Sequence, residues 1–395
     1  RLANPRTAAD GSLTAFRFDN TREDDIESID AGVQGAFETG NIGHRLVLSA
    51  SRISLESKNA FAFSDFSNTF ATDLYNPIDV TPPAVDFFLG GNLRNPLKTE
   101  EVNNKSIGFA YTVALADDRL LATLGVRQQD IETIAYDATS GLETSQYDSD
   151  ASTPLFGIVW RATDQLSFYG NYAESLQPGA IAPSVSGGSP ITNAGEVLDP
   201  FAGEQKELGV KYDSGKLGVV ASIFQLDQPN AIVVNNRFET SGLQENQGIE
   251  ISVFGEPREG LRIIGGATWI DAELARTEGG VNAGESPTGT PELQANVNVE
   301  WDVAAVPGLT LDGRVVHTGS QYTNATNTIE IDSWNRVDLG VRYATEVSGK
   351  PMTIRARLDN VLDEEYWASV GGFPGANYLI LGNPRTISVT ASLNF

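Results

Sequence analysis

The terminal stretch Ile387-Ser388-Val389-Thr390-Ala391-Ser392-Leu393-Asn394-Phe395 sets apolar side chains at odd positions and small polar ones at even positions, then stops on an aromatic. Successive side chains of a strand point to opposite faces, so this segment has one apolar face and one polar face. The pattern predicts a closing strand of a transmembrane β-barrel, whose apolar face meets lipid.

The same period of two recurs upstream. Leu293, Ala295, Val297, Val299 and Trp301 alternate with Gln294, Asn296, Asn298 and Glu300. Val337, Leu339, Val341 and Tyr343 alternate with Arg336, Asp338, Gly340 and Arg342, and Met352, Ile354, Ala356 and Leu358 with Thr353, Arg355, Arg357 and Asp359. Charges therefore recur on the polar face. A dry sandwich core does not tolerate them there, whereas a water-filled or plugged lumen does. Short turns are expected at 40–42, 116–118, 162–164, 213–215, 257–259, 306–308 and 347–350, and long connections at 58–100, 137–151, 177–200, 276–288, 320–331 and 363–383. Short turns alternating with long loops mark an outer-membrane barrel. The reading is all-β: a single antiparallel domain over 1–395 with about sixteen strands. Trp160 and Trp301 fall on the apolar parity near short turns and Trp269 near a long loop; with Phe395 they are the expected membrane-girdle aromatics.

Composition narrows the function. Cysteine is absent, and the two histidines, His44 and His317, lie far apart, so no thiolate or His-rich metal site is expected. A net charge of −25 argues against a nucleic-acid partner, which requires a basic stripe. Acidic runs such as Arg22-Glu23-Asp24-Asp25 read as solvated loop, with cation bridging to lipopolysaccharide as the alternative. No run reaches the ~18 apolar residues of a membrane-spanning helix. Barrel strands, being short and half apolar, escape that criterion.

Four blocks carry a family resemblance: Leu198-Asp199-Pro200-Phe201 with Glu204-Gln205-Lys206-Glu207-Leu208-Gly209-Val210-Lys211-Tyr212; Gln247-Gly248-Ile249-Glu250-Ile251; Leu358-Asp359-Asn360-Val361-Leu362-Asp363-Glu364-Glu365-Tyr366-Trp367; and Leu381-Gly382-Asn383-Pro384-Arg385-Thr386 before the terminal strand. In this order, across nearly the whole chain, they resemble the C-terminal barrel portion of a TonB-dependent outer-membrane receptor of the siderophore branch. The resemblance implies a 22-stranded barrel filled by an N-terminal plug. The plug and about the first six strands are then expected upstream of Arg1, which lacks an initiator Met and a signal peptide. It further implies a bacterial outer-membrane location, ferric-siderophore as transported ligand, and the TonB complex as partner through the N-terminal region. Contacts with lipid, with lipopolysaccharide and with the barrel-assembly machinery through the C-terminal strand are expected too, in a monomer.

No catalytic constellation is visible, so the expectation is a transporter without permanently bound cofactor or metal rather than an enzyme. The Gly-rich Ser186-Gly187-Gly188-Ser189-Pro190 lacks the context of a phosphate loop. By strand parity Tyr322 and Trp334 face the lumen near its outer end and are the candidate ligand-binding residues, while Tyr366 and Trp367 are read as structural. Arg336, Asp338, Arg342, Arg355, Arg357 and Asp359 form a lumen patch expected to contact the plug. The competing reading is a general diffusion porin, which has a comparable strand number and a polar lumen; a third, a surface adhesin, is disfavoured by the lipid-facing alternation.

Overall fold

The computed structural model describes residues 2–7, 12–67, 69–73, 80–371 and 378–394, so Phe395 lies outside the described residues. Fifteen long strands follow one another: β1 (Ser12–Thr39), β2 (Ile42–Phe63), β3 (Lys98–Leu115), β4 (Leu120–Tyr136), β5 (Glu143–Arg161), β6 (Leu166–Gln177), β7 (Phe201–Asp213), β8 (Leu217–Val234), β9 (Arg237–Arg258), β10 (Leu261–Arg276), β11 (Leu293–Asp302), β12 (Leu309–Thr318), β13 (Trp334–Val347), β14 (Lys350–Asp359) and β15 (Thr386–Leu393). Each pairs antiparallel with the next, so the order in space is the order in sequence. The wall thus has fifteen staves among the described residues, one fewer than the alternation suggested. Among those residues no ladder joins β1 to β15. Apart from short ladders with Leu2–Thr7 and Phe70–Asp73, β1 pairs only with β2.

The expected short turns all occur, and one outer hairpin that the sequence reading passed over is added. β8 runs into β9 through Asn235-Asn236, both at positive φ (50° and 62°). A two-residue hairpin turn of this kind needs left-handed backbone at both positions, which Asn tolerates. The Gly187-Gly188 segment is likewise a tight turn, between the two-residue strands Val185–Ser186 and Ser189–Pro190.

Strand length sets the position relative to the bilayer. About 9–11 tilted residues cross the hydrocarbon, yet β1 has 28 residues and β2 has 22. With the short turns at one end, the excess projects beyond the membrane on the side of the long connections. One face carries half-exposed Leu208, Ile223, Ile249 and Trp269, and these stand in register: Leu208 opposes Ile223, Ile223 opposes Ile249, and Ile249 opposes Trp269. This is the lipid face. Two residues further from the short turns the same face presents Lys206, Gln225, Gln247 and Asp271. Two residues beyond that it presents an unbroken row of carboxylates on five neighbouring strands, Glu174–Glu204–Asp227–Glu245–Glu273. Lys206 lies 3.2 Å from Glu204 and 3.9 Å from Asp227 and is the cation recorded for this row among the described residues. The polar membrane boundary therefore falls just above Trp269.

Candidate functional site

The opposite face of the sheet is the lumen side, and it divides into distinct regions. From β10 to β14 it is knitted by ion pairs. Arg262 reaches Asp302 (2.7 and 2.8 Å) and Glu300 (3.1 Å), and Thr310 donates to Asp302 (2.7 Å). Arg342 contacts Glu300 (3.5 Å) and donates to Thr310 (3.2 Å); Arg357 bridges Asp312 (3.3 Å) and Asp359 (3.2 Å). Register explains the net. Arg262 directly opposes Glu300, and Gly340, which stands in register between Asp312 and Arg357, leaves room for those two to meet across it. Arg355 stands opposite Arg342 without a carboxylate within ion-pair distance among the described residues; with Arg357 and Glu300 it lines a small cavity of about 90 Å³.

Toward the outer end of the same strands lies a buried knot. Asp338 and Asn360 are fully enclosed. Asp338 accepts from the Asn360 backbone N–H (2.9 Å) and from Arg336 Nη2 (3.1 Å). The Asn360 amide donates to the carbonyls of Glu364 (2.9 Å) and Asn383 (3.0 Å) and accepts from the Glu364 N–H (2.9 Å). One side chain thereby ties β14 to the segment leading into β15. Trp334 packs on Tyr366 with ring centroids 4.3 Å apart, and Arg336 reaches the Tyr366 hydroxyl (3.4 Å). Trp334 is only 8% exposed, and its Nε1–H is buried without an acceptor among the described residues.

Among the described residues the lumen face from β6 to β9 has an ion pair at its outer tip, Arg237–Glu196 (2.9 Å), and none below it. Its aromatic rings lie flat against backbone instead. A Cβ added at Gly209 would stand 2.5 Å from the Tyr169 ring, and one at Gly218 2.5 Å from the Phe254 ring, so glycine is what allows each ring to lie down. Glu207 accepts hydrogen bonds from Tyr169, Asn171 and Gln205, all neutral donors, and Lys211 sits over the Tyr169 ring, 4.6 Å from its centroid.

The residues singled out from sequence are thus dispersed. Arg342, Arg355, Arg357 and Asp359 belong to the ion-paired wall, whereas Arg336 and Asp338 belong to the buried knot. Tyr322 lies in a two-residue ladder, Gln321–Tyr322 with Glu330–Ile331, and its carbonyl accepts from Gly289. Trp160 (53% exposed), Trp301 (54%) and Trp269 (47%) are exposed on the same face as Leu208 and Ile223, and Trp160 stacks on Phe168 at 5.5 Å.

The sequence reading missed a cluster of seven phenylalanines at the outer end of β1 and β2: Phe16, Phe18, Phe61, Phe63, Phe66, Phe87 and Phe88, with neighbouring centroids 4.6–6.5 Å apart. Phe18 opposes Phe63 on the lumen parity, and Phe66, Phe87 and Phe88 remain about half exposed. The signal was available in the pairs Phe16/Phe18 and Phe61/Phe63, spaced by two as residues sharing one face of a strand must be.

Comparison with known proteins agrees with this architecture. Residues 2–361 match the family model described as TonB dependent receptor-like, beta-barrel. The chain is 33% identical, over 92% of its length, to the ferrichrome receptor FcuA of Yersinia enterocolitica, covering 47% of that protein. It is 25% identical over 93% of its length to the ferrichrome outer membrane transporter and phage receptor of Escherichia coli, of which it covers 48%. The crystal structure of BauA, the ferric preacinetobactin receptor of Acinetobacter baumannii, superposes with a TM-score of 0.84 at 32% identity, over 98% of this chain and 57% of that one. The chain spans about half the length of the relatives it matches. An unbroken antiparallel meander, a lipid face topped by charge and a polar lumen wall agree with these likenesses: the chain belongs to the TonB-dependent receptor β-barrel family of the bacterial outer membrane.

Proposed function

We propose that this chain forms much of the barrel wall of a receptor that imports ferric-siderophore complexes across the outer membrane with energy delivered by the TonB complex. The observation that carries the reading is the 33% identity to a ferrichrome receptor sustained over nearly the whole chain. The diffusion-porin alternative has no such support.

Within this reading the ligand pocket lies at the outer end of the lumen. Tyr322 and Trp334 are its proposed polar-aromatic side, supported by the orphaned Trp334 Nε1–H. The exposed edge of the phenylalanine cluster supplies apolar surface. Arg342, Arg355, Arg357 and Asp359 are proposed to hold a plug domain, with Arg336 and Asp338 supporting them from the knot. β15 is the proposed signal for the barrel-assembly machinery, and the lipid face holds a monomer among lipid and lipopolysaccharide.

The test is iron uptake in cells whose other receptors have been deleted, supplied with radiolabelled ferrichrome and ferrioxamine B. Uptake that requires this protein and stops on loss of TonB or of the proton gradient is expected. No uptake of either chelate, with the protein present in the outer membrane, overturns the reading. Replacing Arg355 and Arg357 with Ala should loosen plug retention and leave chelate affinity nearly unchanged; the reverse pattern removes their assigned role.

A further inference from the structure

The two ends of the wall differ sharply in charge. The described residues of the seven connections on the long-loop side (64–97, 137–142, 178–200, 235–236, 277–292, 319–333 and 360–385) include fourteen Asp and Glu against two Arg, a net −12 out of the chain's −25. The seven short turns (40–41, 116–119, 162–165, 214–216, 259–260, 303–308 and 348–349) contain four acidic residues against two basic, a net −2. The outer halves of β6 to β10 add the in-register carboxylate row. Just inside the lumen, Glu207 and Glu250 face the passage without a cation within 4 Å among the described residues. The lumen arginines of β10–β14 are mostly neutralised by their own carboxylates. Arg314, opposite Asp338, and Arg355, opposite Arg342, have no carboxylate in ion-pair distance among the described residues and stand near the middle of their strands, below the loops.

Charges of one sign crowded around a low-dielectric opening focus their field into it. Such fields reach several kT and change encounter rates by ~10- to 1,000-fold. The field acts through solvent, where the Debye length is ~8 Å at physiological ionic strength, so the effect weakens with salt.

We propose that this acidic mouth selects among ferric chelates by charge, admitting uncharged or cationic trishydroxamate complexes and turning away polyanionic triscatecholate complexes. The chemistry of the chelates makes the distinction large. Three singly charged hydroxamates neutralise ferric iron, and a free amine on the chelator adds a positive charge. Three doubly charged catecholates leave a trianion. A trianion must cross the anionic loops and then pass Glu207 and Glu250, with like-charge repulsion at both stages. A neutral complex meets no such barrier, and the flat Tyr169 and Phe254 rings offer it an uncharged surface. This inference rests on the uptake reading above.

The test has two arms, so that each idea can fail separately. The first reads the field without any chelate. The chain has no cysteine, so Val281→Cys, at an exposed position of the 277–292 connection, accepts a single fluorophore. Caesium should quench it several-fold better than iodide at low ionic strength, after correction against the free dye, and the difference should shrink at high salt. Equal quenching overturns the proposal. The second arm compares uptake of ferrichrome, ferrioxamine B and a ferric triscatecholate. The triscatecholate should enter at least ~10-fold more slowly. A combined variant, Glu278→Gln, Glu285→Gln, Glu330→Gln and Asp332→Asn, should narrow that gap without slowing ferrichrome. Triscatecholate uptake equal to that of the hydroxamates overturns charge selection while leaving the uptake reading intact. Uptake of none of the three overturns the uptake reading, and this inference with it.

Discussion

Between β10 and β14 the lumen face is fastened by arginines bridging carboxylates across strands, whereas between β6 and β9 it is smoothed by rings pressed onto glycines. Both stretches alternate in the same way and both border the lumen. In the first, side chains reach sideways along the wall and hold one another at 2.7–3.5 Å. In the second, they lie down and leave the space clear. The contrast teaches that a polar parity does not specify a kind of wall: cross-strand register does.

Perturbing each region measures how deep the contrast goes. The largest effect is expected at the buried end of the fastened wall. Asp338→Ala leaves Arg336 and the Asn360 backbone N–H without the carboxylate they share in a fully enclosed site. It should destabilise the barrel by about 3 kcal/mol, read from urea midpoints in lipid vesicles. An unshifted midpoint would mean that the knot holds nothing. On the smooth wall, Gly209→Ala or Gly218→Ala forces a ring off the backbone and into the lumen, at about 2 kcal/mol by the same assay. If both alanines are silent, the rings were never wedged in place. Arg262→Met should cost no more than about 1 kcal/mol, because its ion pairs are half-exposed, and the loss should fade at high salt. A salt-independent loss would reassign Arg262 to packing.

The smallest effect is expected in the loops. The backbone amide of Ser140, with the Ser140 hydroxyl and the Thr139 amide, holds the Asp137 carboxyl below the usual carboxylate range. A carboxyl whose folded pKa is depressed stabilises its loop above its unfolded pKa of ~3.9, and that contribution disappears as pH falls through the lower folded value. Hydrogen exchange at the Ser140 amide should therefore be faster in Asp137→Asn than in the parent at neutral pH, with the two converging in strong acid. A difference that persists in acid would deny the carboxylate its role.

The fold was legible because a two-sided strand writes its period directly into the sequence, and because short turns and long loops alternate around the wall. What escaped was local. Asn235-Asn236 makes a hairpin without the glycine or proline that usually signals one, between the apolar run Ala231-Ile232-Val233-Val234 and Arg237-Phe238. The lumen site was less legible for a different reason. Arg357 meets Asp312 across 45 residues of sequence, Phe16 joins a cluster that ends at Phe88, and the Tyr169 ring finds Gly209 on the next strand. Each contact depends on register, which a single residue of slip would invert. Parity correctly placed Arg336 and Asp338 on the same face as Arg355. It could not reveal that Asp338 is sealed inside a knot with Asn360.

The carboxylate row above Trp269 also has a mechanical consequence. Because Glu174, Glu204, Asp227, Glu245 and Glu273 stand shoulder to shoulder, a downward slip of the barrel by one strand repeat would press all five toward hydrocarbon together. Lipid-facing charge resists such burial in proportion to depth, by up to ~2–4 kcal/mol for the costliest side chains at the midplane and less for carboxylates. The row thus behaves as a flange: free in water, it weighs little, but any force hauling on the lumen from below meets five charges bearing on the rim at once.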